Sequence, residues 1–104
     1  MLDYPPFADL IIFGCSAPEE KDAVQTAEHL KAQLVPARVY GEELLGPSPA
    51  PIKRVKGYYR YHVVYKGHNL QEKNAFFRET IWNFRKELAN GIRVTVDFNP
   101  IMML

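Results

Sequence analysis

The run from Tyr58 to Lys66 leaves the chain few options, because its side chains change character at every second residue. Tyr59, Tyr61, Val63 and Tyr65 share one parity, and Tyr58, Arg60, His62, Val64 and Lys66 share the other. Successive side chains of a β-strand point to opposite faces, so the run reads as a strand with one ring-lined face and one basic face. Shifting its pairing by one residue would exchange the two, so the sequence leaves open which set is covered. Either exposed set suits nucleic acid, since cations neutralise phosphates and flat rings stack on bases.

The same strand sits inside a segment of one sign. Between Leu44 and Gln71 the chain carries Lys53, Arg54, Lys56, Arg60 and Lys66 and no Asp or Glu. The net charge of the chain is only +1, so eight cations face twelve acids elsewhere and the molecule is polarised along its length. The segment opens with Gly46-Pro47-Ser48-Pro49-Ala50-Pro51, in which the prolines enforce an extended, stiff path. Two readings stand side by side. One is a nucleic-acid surface built from Lys53, Arg54, Lys56, Tyr58, Tyr59, Arg60, Tyr61 and Lys66; the other is a solvated loop leading into an aromatic strand, with Arg54 and Arg60 pairing to acids such as Asp97 or Glu43.

Around this strand the remaining elements fall into place. Leu10-Ile11-Ile12-Phe13, within Ala8 to Cys15, is a continuous apolar run suited to a central strand. Ser16-Ala17-Pro18-Glu19 has capping-box spacing and predicts a helix start, followed by a stripe of Ala23, Ala27, Leu30 and Leu34 that Pro36 ends. Arg38 to Leu45 predicts a second strand with a bulge at Gly41, closed by Gly46-Pro47. Asn69 predicts the cap of a second helix reaching Ala89, with Leu70, Phe77, Ile81, Phe84 and Leu88 on one stripe and Asn90-Gly91 as its stop. Ile92, Val94, Val96 and Phe98 alternate with polar residues as a last, half-buried strand ended by Pro100. The order βαββαβ in 104 residues predicts an α+β, ferredoxin-like domain: a four-stranded antiparallel sheet, strands 1 and 3 central, both helices on one face. Residues 1–7, with Tyr4-Pro5-Pro6-Phe7, read as a lead-in from an upstream region, and residues 8–104 as the single domain.

Catalytic and metal chemistry find little to build on. His29, His62 and His68 fall on a helix, a strand and a loop with no HxxxH or HxH spacing, and no glycine-rich phosphate motif is present. The lone Cys15 excludes an intrachain disulfide and fits a small buried hydrophobe in a reducing cytoplasm. No apolar run approaches the roughly 18 residues of a membrane span, so no membrane partner is expected. Small ferredoxin-like enzymes acting on acyl phosphates remain a fold-level alternative, with Arg54 or Arg60 as the anion clamp.

Tyr4-Pro5-Pro6-Phe7, Gly46-Pro47 with Pro49-Ala50-Pro51, Arg54, Tyr59-Arg60-Tyr61, Lys66 and Asp97-Phe98-Asn99-Pro100 together resemble the C-terminal domain of the primosomal protein N′ (PriA) family of bacterial replication-restart helicases. Two positions depart from that pattern: His62 stands where the family usually has glutamine, and Asn99 where it usually has a second aspartate. The resemblance implies a ribosomal protein S10-like fold and a cytoplasmic accessory domain, not itself an enzyme, that binds branched or single-stranded DNA at stalled forks. It also implies an upstream ATP-dependent 3′ to 5′ helicase, whose lobes carry the ATP, magnesium and structural zinc, with no cofactor in this segment. A further partner implied is the acidic, phenylalanine-ended tail of the single-stranded-DNA-binding protein, docking nearby. The alternative is a module that mainly serves protein interaction within the helicase.

Trp82 is the one tryptophan, and helical periodicity puts it opposite the apolar stripe beside Arg78, Arg85 and Lys86. These four are the expected partner-binding residues, since a ring among cations suits an acidic peptide. The competing expectations are that Ile101-Met102-Met103-Leu104 folds over the ring, or that a helicase lobe covers it.

Overall fold

A computed structural model describes residues 9–99. The expectations for residues 1–7 and for Ile101 to Leu104 therefore lie outside the described residues. The elements follow as β1 (Asp9–Ala17), α1 (Glu20–Leu34), β2 (Glu43–Val55), β3 (Tyr58–Gly67), α2 (Asn74–Lys86) and β4 (Arg93–Phe98). The strands form one antiparallel sheet in the order β2-β3-β1-β4, so β1 and β3 are central as the topology requires. This is the expected ferredoxin-like α+β arrangement.

Register decides what faces the helices. Ile11 pairs with Tyr65, Phe13 with Val63 and Cys15 with Tyr61, and on the other side of β1 the same three pair with Phe98, Val96 and Val94. Phe13, Cys15, Val63 and Tyr65 are fully buried there, against the α1 stripe of Ala23, Ala27, Leu30 and Leu34 and against Phe77 and Ile81 of α2. Phe77 is the hub of α2, meeting Phe13 and Tyr65 edge-on at ring centroid distances of 6.0 and 5.2 Å. Cys15 is the inert hydrophobe expected: burial pushes its thiol up to about 12.

The helix boundaries differ from expectation. Ser16 does not cap α1, because it is still paired in β1, opposite Arg60 and Arg93; the helix starts at Glu20 with no side-chain cap on Glu19. Sheet pairing on both sides outweighs one capping bond there. Asn69 likewise does not cap α2. It holds a left-handed conformation (φ 57°) before a 3₁₀ turn, Leu70–Lys73, and the Leu70 N–H is taken by Asp9 Oδ2 at 2.8 Å, so α2 opens only at Asn74 and ends at Lys86.

The largest difference is β2. Val39, Tyr40 and Gly41 are not strand: the Glu42 N–H donates to Val39 O and the Val39 N–H to Glu42 Oε1, closing a tight turn. The proline segment is instead part of β2, with register shifts between Leu45 and Ser48 and between Pro49 and Arg54. An edge strand tolerates prolines because the missing N–H can point away from the sheet, and bulges absorb the rest. Gly46, at φ 103°, is required there twice over, since a Cβ would also meet His62 O at 2.6 Å. β2 and β3 then join through Lys56 (φ 52°) and Gly57 (φ 86°), a two-residue turn with both residues left-handed, as in a type I′ hairpin. Asn99, also left-handed (φ 50°), closes β4 by accepting from the Leu10 N–H and donating to Asp9 Oδ1; an aspartate there could not make the second bond.

Candidate nucleic-acid interface

With Tyr61, Val63 and Tyr65 turned to the helices, the basic parity of β3 forms the open face. Arg60, His62, Val64 and Lys66 are half-buried on it, flanked by the outward residues of β1 and β4. Successive rows across the sheet can be read from the pairing. Arg60, Ser16 and Arg93 form one row; His62, Gly14 and Thr95 the next; Val64, Ile12 and Asp97 the third. The first row holds two guanidinium groups and no acid.

The predicted DNA residues divide between the two faces. Arg60 lies on the open face and donates from Nη1 to Ile52 O at 3.0 Å, which braces the hairpin stem. Tyr58 lies there too, with the Arg93 guanidinium 4.5 Å from its ring centre and Arg93 Nη2 3.5 Å from its hydroxyl. Lys56 is exposed at the hairpin tip. Arg54 packs over the Tyr59 ring at 5.1 Å, both at the hairpin end of the sheet, and Tyr59 is partly buried against the core. Two members leave the set that can stack on or reach nucleic acid unaided. Tyr61 is buried and its hydroxyl donates to Glu20 Oε2 at 2.5 Å, so it is a structural ring. Lys53 is paired with the same Glu20 oxygen at 2.6 Å. Hydrogen bonds from Lys53 and then Tyr61 hold the Glu20 carboxyl below the usual carboxylate range, and Glu20 in turn raises Lys53. Arg54 and Arg60 meet a ring and a carbonyl rather than Asp97 or Glu43, and the acid that holds Lys53 is Glu20 of α1.

The sequence reading missed Arg93 and Ser16. Neither stands in the acid-free segment, and only the pairing of β1 with both β3 and β4 brings them beside Arg60. His62 leans over Gly14 from one side and the Thr95 hydroxyl from the other: a Cβ on Gly14 would lie 3.8 Å from His62 Cδ2 and 2.7 Å from Thr95 Oγ1. Burial, then the charge of Arg60, lowers the His62 pKa against the opposing pull of Asp97, which favours the neutral ring.

The predicted partner residues gather at a second place. Trp82 is 63% exposed, with Lys86 Nζ 5.5 Å from its ring centre. Trp82, Arg78 and Arg85 border a groove of about 820 Å³ floored by apolar side chains including Phe77, Val96 and Phe98. Arg85 also ties α2 to β4, donating from Nε and Nη2 to Val94 O at 3.2 and 2.8 Å. Lys86 stands over the ring rather than in the groove. Among the described residues no three His, Cys, Asp or Glu side chains are grouped to hold a metal ion, and no helix is long and apolar enough to cross a membrane.

Comparison with known proteins agrees with this architecture. A de novo designed protein, Foldit4, superposes with a TM-score of 0.61 at 10% identity, over 91% of this chain and 99% of its own, which is a likeness of fold alone. Replication restart protein PriA of Bacillus subtilis is 30% identical over 97% of this chain, and the probable replication restart protein PriA of Deinococcus radiodurans is 32% identical over 95%. The matched region is 13% of the Bacillus protein and 10% of the Deinococcus protein, so the chain spans only a small part of their length. The model of the primosomal protein N C-terminal domain matches residues 1–101, and the chain belongs to that family.

Proposed function

We propose that this chain is a DNA-contacting C-terminal module of a replication-restart helicase, engaging branched or single-stranded DNA through the β2–β3 hairpin and the open face of the sheet. The observation that carries the reading is the concentration of Arg54, Lys56, Arg60 and Arg93 at one end of the sheet, where the partners of Arg54, Arg60 and Arg93 are rings and a carbonyl rather than carboxylates. Phosphates supply the missing anions. The helicase activity itself, with its ATP, magnesium and structural zinc, belongs in this reading to the longer protein, and among the described residues no three His, Cys, Asp or Glu side chains are grouped to hold a metal ion. The setting is the bacterial cytoplasm. The test is a titration of labelled fork, duplex and single strand at two salt concentrations. Binding should fall steeply with salt, and Arg54→Ala with Lys56→Ala should weaken it; no salt-dependent binding, or an indifferent double variant, would refute the reading.

The groove beside Trp82 supports a second contact, with the acidic tail of the single-stranded-DNA-binding protein or with the helicase lobes. An exposed tryptophan and two arginines around an apolar floor suit a peptide bearing carboxylates and an aromatic end. Trp82 fluorescence reads this directly: the free chain should emit to the red and be readily quenched, and an acidic peptide ending in phenylalanine should shift the emission to the blue. A spectrum indifferent to peptide would refute the tail contact.

A further inference from the structure

The row of Arg60, Ser16 and Arg93 holds two cations, and among the described residues no carboxylate pairs with either. Its two arginines stand on strands either side of β1, about 10 Å apart by strand spacing, with only the Ser16 hydroxyl between them. At that spacing the two like charges repel only weakly through solvent, and an anion placed between them is attracted by both. The nearest acid facing outward on β4 is Asp97, four residues along from Arg93 and so about 13 Å away. Each arginine is nevertheless held in place, Arg60 by Ile52 O and Arg93 by the Tyr58 ring. One bond to a carbonyl leaves most of the five guanidinium N–H donors of Arg60 unspent. Beside the row, the Thr95 hydroxyl and the His62 ring converge over Gly14, where any side chain would collide with Thr95. The result is a shallow row across three strands in which two guanidinium groups, neither paired with a carboxylate, flank a serine, and each guanidinium can offer a phosphate the paired N–H bonds that bind oxyanions well.

We propose that Ser16, Arg60 and Arg93 form the seat of a nucleic-acid phosphate, so that a single strand crosses the open face over β1 instead of being held by the hairpin tip alone. This rests on the DNA-binding reading above and assigns its primary contact to two residues outside the acid-free segment. A single strand is the occupant because the row is one phosphate wide and continues into Tyr58 on one side and into the Thr95 and His62 groups on the other, which a rigid duplex groove would not reach together.

The test measures anisotropy of a fluorescein-labelled oligothymidylate with the 104-residue chain, at two salt concentrations. Arg93→Met keeps the aliphatic cover of Tyr58 while removing the charge, and should weaken binding about tenfold and lower the salt slope by about one. Ser16→Ala should weaken binding less. Ser16→Glu places a carboxylate between the two arginines; it should abolish binding and yet unfold at a higher temperature than Ser16→Ala, because it supplies the missing anion from within. If Arg93→Met and Ser16→Glu bind like the parent chain while Arg54→Ala with Lys56→Ala does not, the hairpin alone holds the strand and the seat is refuted with the DNA-binding reading intact. If the parent chain shows no salt-dependent binding, both are refuted.

Discussion

On the helix side of β3, two tyrosines each end in the same arrangement. The Tyr61 hydroxyl donates to Glu20, which holds Lys53, and the Tyr65 hydroxyl donates to Glu42, which holds Lys73 at 2.6 Å. On the open side of the same strand, Arg60 meets a carbonyl and its neighbour Arg93 meets a ring. Charge is therefore neutralised at the two buried tyrosines on the helix side, whereas Arg60 and Arg93 on the open side are held without a carboxylate. Cations that serve folding are given acids; cations held in place without them are the ones to read as binding groups.

The sharpest way to break this contrast is to truncate one residue on each face. Tyr65→Ala removes a fully buried ring that packs on Phe77 and strands Glu42, and should cost about 3–5 kcal/mol in urea unfolding. Arg60→Ala should cost about 1 kcal/mol or less, and equal losses would undo the division of labour. Next in size is Glu42→Gln, expected to cost about 1–3 kcal/mol at neutral pH because Lys73 and the Tyr65 hydroxyl lose their charged acceptor. Burial pushes the Glu42 carboxyl up, but hydrogen bonds from Lys73, Tyr65 and the Val39 N–H outweigh it and leave its pKa below the ordinary value of 4.5. A depressed carboxylate stabilises the fold fully above its unfolded pKa and loses that contribution as pH falls through the lower folded value. The parent chain should thus lose stability on acidification below about pH 4.5, and Glu42→Gln should flatten that limb.

Much of this contrast was legible in the sequence, and the reasons for what was not are physical. The two parities of β3 were visible because a period of two needs no partner to be recognised, and the stripes of α1 and α2 were visible for the same reason. Which parity is buried was not, because it depends on the pairing of Phe13 with Val63 and of Cys15 with Tyr61, a relation between distant segments. Pro47, Pro49 and Pro51 read as a loop because an isolated segment does not reveal that it lies at a sheet edge. Lys56-Gly57 is a weak turn signal beside Asn-Gly, so the sequence alone does not announce a hairpin there. Arg93 was hidden because its charge reaches the site across β1, not along the chain.

Smaller effects refine the hairpin. Gly57→Ala, at φ 86°, should cost about 1 kcal/mol, whereas Lys56→Asn suits its left-handed position and should raise the unfolding midpoint slightly while weakening DNA binding. Glu20→Gln should leave stability nearly unchanged, because its pair with Lys53 is half exposed, and should tighten DNA binding by releasing that lysine.

Nucleic acid is expected on the outward rows of the sheet and not on the helix side. The most direct measurement is a ¹H–¹⁵N correlation spectrum of the chain titrated with oligothymidylate. The amides of Gly14, Ser16, Arg60, His62, Arg93 and Thr95 should shift together and saturate at one affinity, with those of α1 and the Trp82 indole unmoved. Shifts confined to α2 and the Trp82 indole, with the rows across β3, β1 and β4 silent, would contradict it.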